Sequence, residues 1–154
     1  MVYWQKKYTP QISVINNLTC RLQDKRGEYI TMRNKSNNNK NSKIYEVNLE
    51  QGRPTVDTAI KYLEHALSRA KAYGYPAIKL IHGYGSSGSG GKIKTAVHRE
   101  LNRYKNAGKI REFAAGENFS PFDSATQRII TICYDITRDS DYFKTNQGIT
   151  IVLI

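Results

Sequence analysis

The strongest constraint on the fold is a repeated alternation after residue 44, in which short apolar runs are separated by stretches of helical period. Ile44 to Leu49 is apolar and strand-like, and Gly52-Arg53-Pro54-Thr55 turns the chain so that Thr55 can cap a helix. Val56, Ala59, Ile60, Leu63, Leu67 and Ala70 then recur every three or four residues, the stripe of a helix packed on a sheet. Gly74 ends that helix, and Ala77 to Ile81 is a second strand. A second helix, turning Ile93, Ala96, Val97, Leu101 and Tyr104 inward, closes at Gly108. Lys109 to Ala115 and Gly148 to Ile154 complete the strands. Two successive right-handed βαβ crossovers predict an α/β fold with a parallel sheet core, a βαβαββ chain order in two layers. Before the last strand lies an insertion. There Ser120 to Asp123 resembles a helix start, and Ala125, Ile129, Ile132 and Cys133 continue a helical stripe.

Residues 1–43 read differently. Gln11 to Val14, Leu18 to Gln23 and Glu28 to Arg33 are β-prone, and Asp24 to Gly27 can turn the last two into a hairpin. Asn34 to Ser42, NKSNNNKNS, holds no apolar residue and reads as a linker. The expected division is a basic arm and linker over 1–43 and an α/β domain over 44–154. The whole chain carries 24 Lys and Arg against 13 Asp and Glu, a net +11. Met1 to Lys43 alone holds nine basic and two acidic residues, a net +7. A polyanion is the partner such charge implies, with the arm adding nonspecific affinity. No segment approaches the ~20 apolar residues of a membrane span, and the N-terminus lacks an apolar leader, so a soluble cytoplasmic protein without membrane partners is expected. Cys20 and Cys133 match neither a metal motif nor a disulfide framework and are expected as reduced thiols.

The segment Lys79 to Lys94, KLIHGYGSSGSGGKIK, runs from a strand through a glycine-rich loop into a helix start. Helix N-termini present unpaired N–H groups and partial positive charge, and glycine lets backbone approach an anion. Gly83, Tyr84, Gly85, Ser86, Ser87, Gly88 and Gly91 are therefore candidate phosphate-contacting residues. Lys92 and Lys94 fall in the first helical turn, where the dipole prefers an acid, which points to an external anion. Arg53 on the same rim, and Arg99 and Arg103 along the helix, extend the basic track, with Lys105, Lys109 and Arg111 beyond. Tyr84 at the loop tip offers a stacking surface for an unpaired base.

Two other loop motifs fit less well. A Walker loop fails because Ser86 and Ile93 stand where glycine and Ser or Thr are required around Lys92. Gly83 to Gly88 matches G-x-G-x-x-G, yet three residues separate it from the helix and no acid stands at ribose distance, leaving a nucleotide-binding enzyme as a weaker reading. No cofactor follows from the residues. His82 and Glu50 end the first two strands of this domain on one rim and are a candidate base and acid, His82 serving equally well as a loop brace. His65 and His98 lie off their helices' apolar stripes and are expected at the surface. Asp135, Asp139 and Asp141 lack the glycine and closing Glu of a calcium loop and read as a solvated acidic loop rather than a metal site.

Residues 44–154 resemble the Smr (small MutS-related) family. His82-Gly83-Tyr84-Gly85 looks like its H-G-x-G motif, and the helical pattern and terminal GITIVLI strand agree. The resemblance implies a fold similar to the C-terminal domain of translation initiation factor three, binding of DNA or RNA, and in some members endonuclease activity. The family's Asp-Leu-His-Gly motif is replaced here by Asn48-Leu49-Glu50-Gln51-Gly52. With the motif histidine absent, nucleic-acid binding is expected to outlast hydrolysis, for which Glu50 with His82 is the substitute pair.

Overall fold

The computed structural model describes residues 13–14, 19–23, 29–33, 44–84 and 91–154. The chain divides into two compact units, Met1–Ser36 and Asn37–Ile154. In the first, β1 (Ser13–Val14), β2 (Thr19–Gln23) and β3 (Tyr29–Arg33) pair antiparallel in that order, with Thr19 opposite Arg33 and Gln23 opposite Tyr29. The turn expected at Asp24 to Gly27 lies outside the described residues.

The second unit is α/β. Its elements are β4 (Ile44–Asn48), α1 (Val56–Tyr73), β5 (Ala77–Ile81), α2 (Lys92–Asn106), β6 (Glu112–Ala115), α3 (Ser124–Ile132) and β7 (Ile149–Leu153). Short 3-10 turns at Gly116–Asn118 and Tyr134–Arg138 flank α3. Thr55 caps α1, its hydroxyl accepting from the Thr58 amide at 3.3 Å, and Gly74 stops the helix with a left-handed φ of 71°. Thr55→Ala is expected to cost about 1 kcal/mol in a denaturant titration. The helix buries Ala59, Leu63, Leu67 and Ala70 as its stripe requires, with Tyr62 and Ala66 beside them.

The sheet order is β4-β5-β7-β6. β4 and β5 are parallel, but β7 runs antiparallel to both β5 and β6 and lies between them. The expected all-parallel core is thus corrected to a mixed sheet. Both crossovers still join strands of like direction, and the final strand fills the gap that the second one leaves. Every residue of β7 is buried, as a central strand covered on both faces demands.

Alternation along the strands assigns those faces. Ala77, Ala114, Ile149, Ile151 and Leu153 pack with Phe119, Ile129, Cys133 and Ile136 from the insertion. The alternate residues Ile78, Leu80, Thr150 and Val152 are also buried, and they face the α1 and α2 side, where His98 of α2 reaches Thr150. The insertion therefore adds a third layer to the expected two, on the face the crossover helices leave open. Ile132, expected inward, is 50% exposed because Thr126 and Ile129 form the buried face of α3. β6 starts at Glu112 rather than Lys109. After α2, Gly108 takes a φ of 66° and the Lys109 amide bonds back to the Tyr104 carbonyl at 2.8 Å, which uses those residues in a helix-ending turn.

Polar groups on the insertion side are paired internally. Lys79, 4% exposed in the middle of β5, places its ammonium 2.7 Å from Asp139 and 2.5 Å from Asp141, with Glu46 at 3.9 Å. Burial alone would lower that ammonium's pKa, but the two aspartates raise it above its ordinary value. Asp139 and Asp141 are thus no solvated loop: they neutralise a buried charge. Among the described residues no group of three or more His, Cys, Asp or Glu side chains could hold a metal ion, and no helix is long and apolar enough to cross a membrane.

Candidate nucleic-acid interface

The carboxyl ends of β4 and β5 lie side by side because Asn48 pairs with Ile81, and the chain continues the pairing with the Leu49 amide bonded to the Ile81 carbonyl at 2.7 Å. The residues just beyond, Glu50 and Gly83, are consequently brought together. Gly83 has a left-handed φ of 66°, and a methyl group there would collide with the Glu50 carboxylate, its carboxyl carbon at 2.5 Å. The left-handed backbone is what favours glycine at this position, since the Glu50 carboxylate is the far end of a flexible side chain and can swing aside. Asn48 organises the turn, its Oδ1 accepting from the Glu50 amide at 2.8 Å. Arg53 follows in a left-handed conformation, φ 52°, its amide bonded to the Glu50 carbonyl at 3.0 Å and its side chain exposed.

His82 sits on the same rim but is fully buried. Its Nδ1 is 3.2 Å from the Gly83 carbonyl and its Nε2 2.8 Å from the Thr150 hydroxyl. A carbonyl can only accept, so this network assigns the proton to Nδ1 and leaves Nε2 to accept from Thr150. The Thr150 oxygen is then free to accept from Nε2–H of His98, also at 2.8 Å. Two imidazoles share one buried hydroxyl, with ring centroids 5.8 Å apart and edge to face. Burial is the main cause that pushes the His82 pKa down to about 4; the nearby His98 and Lys94 push the same way, against the opposing bond to Gly83. Burial, then Lys94, also lowers His98.

His98 is therefore no surface residue, and His65 is half-buried as well, its pKa lowered first by burial and then by Arg69. Sequence reasoning missed the part His98 plays. The available signal was Thr150, a lone hydroxyl in the apolar GITIVLI run, because a buried polar side chain needs a polar partner.

The first turn of α2 starts at Lys92, which is exposed, after Gly91. Among the described residues no side chain caps Gly91, and the first turn contains no acid. Lys94 is different: its ammonium lies 2.7 Å from Glu117, and its side chain is only 12% exposed. Burial would raise the Glu117 carboxyl, but Lys94 holds it below its ordinary range. An internal anion thus offsets the Lys94 charge, where sequence reasoning looked for an external one.

Tyr84 leaves the rim at the start of the loop, 55% exposed, with its hydroxyl donating to Asn146 Oδ1 at 2.8 Å. Its carbonyl accepts from the Gly91 amide at 3.1 Å, so the loop's two ends meet. Gly85, Ser86, Ser87 and Gly88 lie outside the described residues.

The basic track divides. Arg99 is exposed on α2, whereas Arg103 forms an ion pair with Glu100 at 2.7 Å and lies over the Tyr104 ring. Eleven residues after Lys92, Arg103 stands about 16 Å further along the helix, at the end remote from Gly83. Lys105 and Arg128 both pair with Glu112, at 2.5 and 2.7 Å, and Lys109 stacks on Tyr104. The structure brings Glu50, Arg53, Gly83, Tyr84, Gly91 and Lys92 to one rim, and it commits most of the distal cations to internal partners.

Comparison with curated proteins and with solved structures gave no match. The family model described as Smr domain matches residues 52–118, from the turn after β4 to the 3-10 turn after β6, so the replaced motif at Asn48 to Gln51 precedes the matched span and its H-G-x-G residues fall inside it. Across that span the chain matches the Smr domain family, the one its sequence resembles.

Proposed function

We propose that this chain is a nucleic-acid-binding protein that holds the phosphate backbone at the rim formed by Gly83, Tyr84, Gly91 and the first turn of α2. The Smr match supports a function directed at nucleic acid in general, whether binding or endonuclease. The single observation that carries the binding reading is the start of α2: a helix of 15 residues whose first turn has no acid and, among the described residues, no capping side chain, beginning with exposed Lys92 beside the glycines. Arg53 is exposed on the same rim, Arg99 is exposed about 10 Å further along α2, and the net charge of +11 supplies long-range attraction. The basic arm adds nonspecific affinity.

Lys92→Ala and Arg99→Ala are expected to weaken binding severalfold each, for all sequences alike, without lowering thermal stability. Fluorescence anisotropy with labelled single- and double-stranded DNA and RNA measures this. Full affinity in the double variant would mean that this rim does not hold the nucleic acid.

Hydrolysis is the second reading, favoured by the Glu50 carboxylate lying against Gly83. Here His82 acts as a brace, since a buried imidazole with both nitrogens bonded has no lone pair or proton facing a phosphate. Cleavage by this chain is therefore expected to be weak or absent. A His82→Ala variant that stays folded and binds normally while losing a measurable wild-type cleavage would return the histidine to a chemical role.

A further inference from the structure

The insertion before β7 does more than cover the sheet, because a continuous set of hydrogen bonds leads from its buried ion pair to the exposed rim. Lys79 anchors Asp141 Oδ2 at 2.5 Å, and Asp141 Oδ1 accepts from Asn146 Nδ2 at 2.8 Å. That donation fixes which way the amide points. Its Oδ1 is thereby turned to accept from both the Tyr84 hydroxyl, at 2.8 Å, and the Gly148 amide, at 2.9 Å. The Gly148 carbonyl in turn accepts from the amides of His82 and Gly83, at 2.9 and 3.0 Å. A methyl group at Gly148 would stand 3.4 Å from the edge of the Tyr84 ring, so the ring lies against this backbone while more than half of its surface stays open.

We infer that Asn146 is a positioning residue for Tyr84, holding the ring in the orientation that contacts nucleic acid; the inference rests on the binding function proposed above. An aromatic ring fixed beforehand loses less rotamer freedom when a base stacks on it, which raises affinity without any new contact to the ligand. Asn146 itself acts only through Tyr84. Asp141, oriented by Lys79, holds the amide in the one flip state that accepts from the phenol.

The test is a thermodynamic cycle on the full chain, read by anisotropy with the labelled single-stranded RNA, single-stranded DNA and duplex DNA probes. Tyr84→Phe and Asn146→Ala are each expected to weaken binding about three- to tenfold, the range of one net hydrogen bond. The double variant is expected to bind no more weakly than the weaker single one. If Asn146 acted only on loop integrity, its replacement would weaken binding equally in the wild-type and Tyr84→Phe backgrounds, and that result overturns the inference. Tyr84→Ala serves as the control. Its loss of affinity beside an unaffected Asn146→Ala overturns positioning alone, whereas wild-type affinity in Tyr84→Ala removes Tyr84 from the interface and the inference with it. A wild-type protein that binds none of the probes contradicts the proposed function itself.

Discussion

Removing the two carboxylates closest to Lys79, as Asp139→Asn with Asp141→Asn, is expected to destabilise the second unit by about 3–5 kcal/mol. Lys79 is 4% exposed in the middle of a covered strand, so without those partners its ammonium must stay buried with only Glu46, 3.9 Å away, or give up its proton. Lys79→Met in the same background should recover most of the loss, because an apolar side chain of similar length suits the layer formed by Ala77, Ile151 and Ile136. Chemical denaturation of the wild type, the double variant and the triple variant checks this. A double variant as stable as the wild type would mean that Lys79 reaches solvent.

Acid should destabilise the protein through its buried histidine. The ordinary pKa of His82 is 6.5 and its folded value is pushed down to about 4. Between those values the unfolded chain binds a proton that the folded one excludes, so stability falls as pH falls. The contribution is fully present above pH 6.5, declines from there to about pH 4, and amounts to about 3 kcal/mol over the window. His98, also lowered by burial, acts with the same sign. The lowered carboxyl groups of Glu112, Glu117 and Asp141 belong to a more acidic range, their stabilisation present above their ordinary pKa values and lost as pH falls below them. Unfolding free energies across the pH series should therefore slope less steeply between pH 6.5 and 4 in a His82→Gln variant. Equal slopes in the two proteins would show that His82 does not resist protonation in the folded state.

The sequence made the crossover helices legible because their apolar stripes follow a period that nothing else imitates, as Ala59, Leu63, Leu67 and Ala70 illustrate. β5 was legible at both ends, since Gly74 and His82 interrupt the apolar run on either side. The position of β7 was not. Periodicity states that a strand is buried, but carries no mark of direction or of neighbour. The almost unbroken apolar run of GITIVLI suits a central strand covered on both faces, whereas β6, at the edge, carries Glu112 paired with Lys105 and Arg128. At the rim, the side-by-side strand ends followed from parallel topology alone, which is why Glu50 and Gly83 meet. The partners of buried polar groups were hidden because they come from distant positions. Lys79 finds its acids 60 and 62 residues later, and His82 finds Thr150 68 residues later. Both sites nevertheless announced themselves: a lysine inside AIKLI and a threonine inside GITIVLI each demand a polar partner somewhere in the chain.

If this molecule holds the phosphates of a nucleic acid, its binding depends strongly on salt. Each phosphate held by a lysine, an arginine or a helix start displaces condensed counterions, so the logarithm of the association constant should fall linearly with the logarithm of salt concentration. A steep negative slope is expected for the wild type and a slope shallower by about one for Lys92→Ala, measured by anisotropy over a salt series with the same probes. Affinity that is unchanged from low to high salt would contradict phosphate binding.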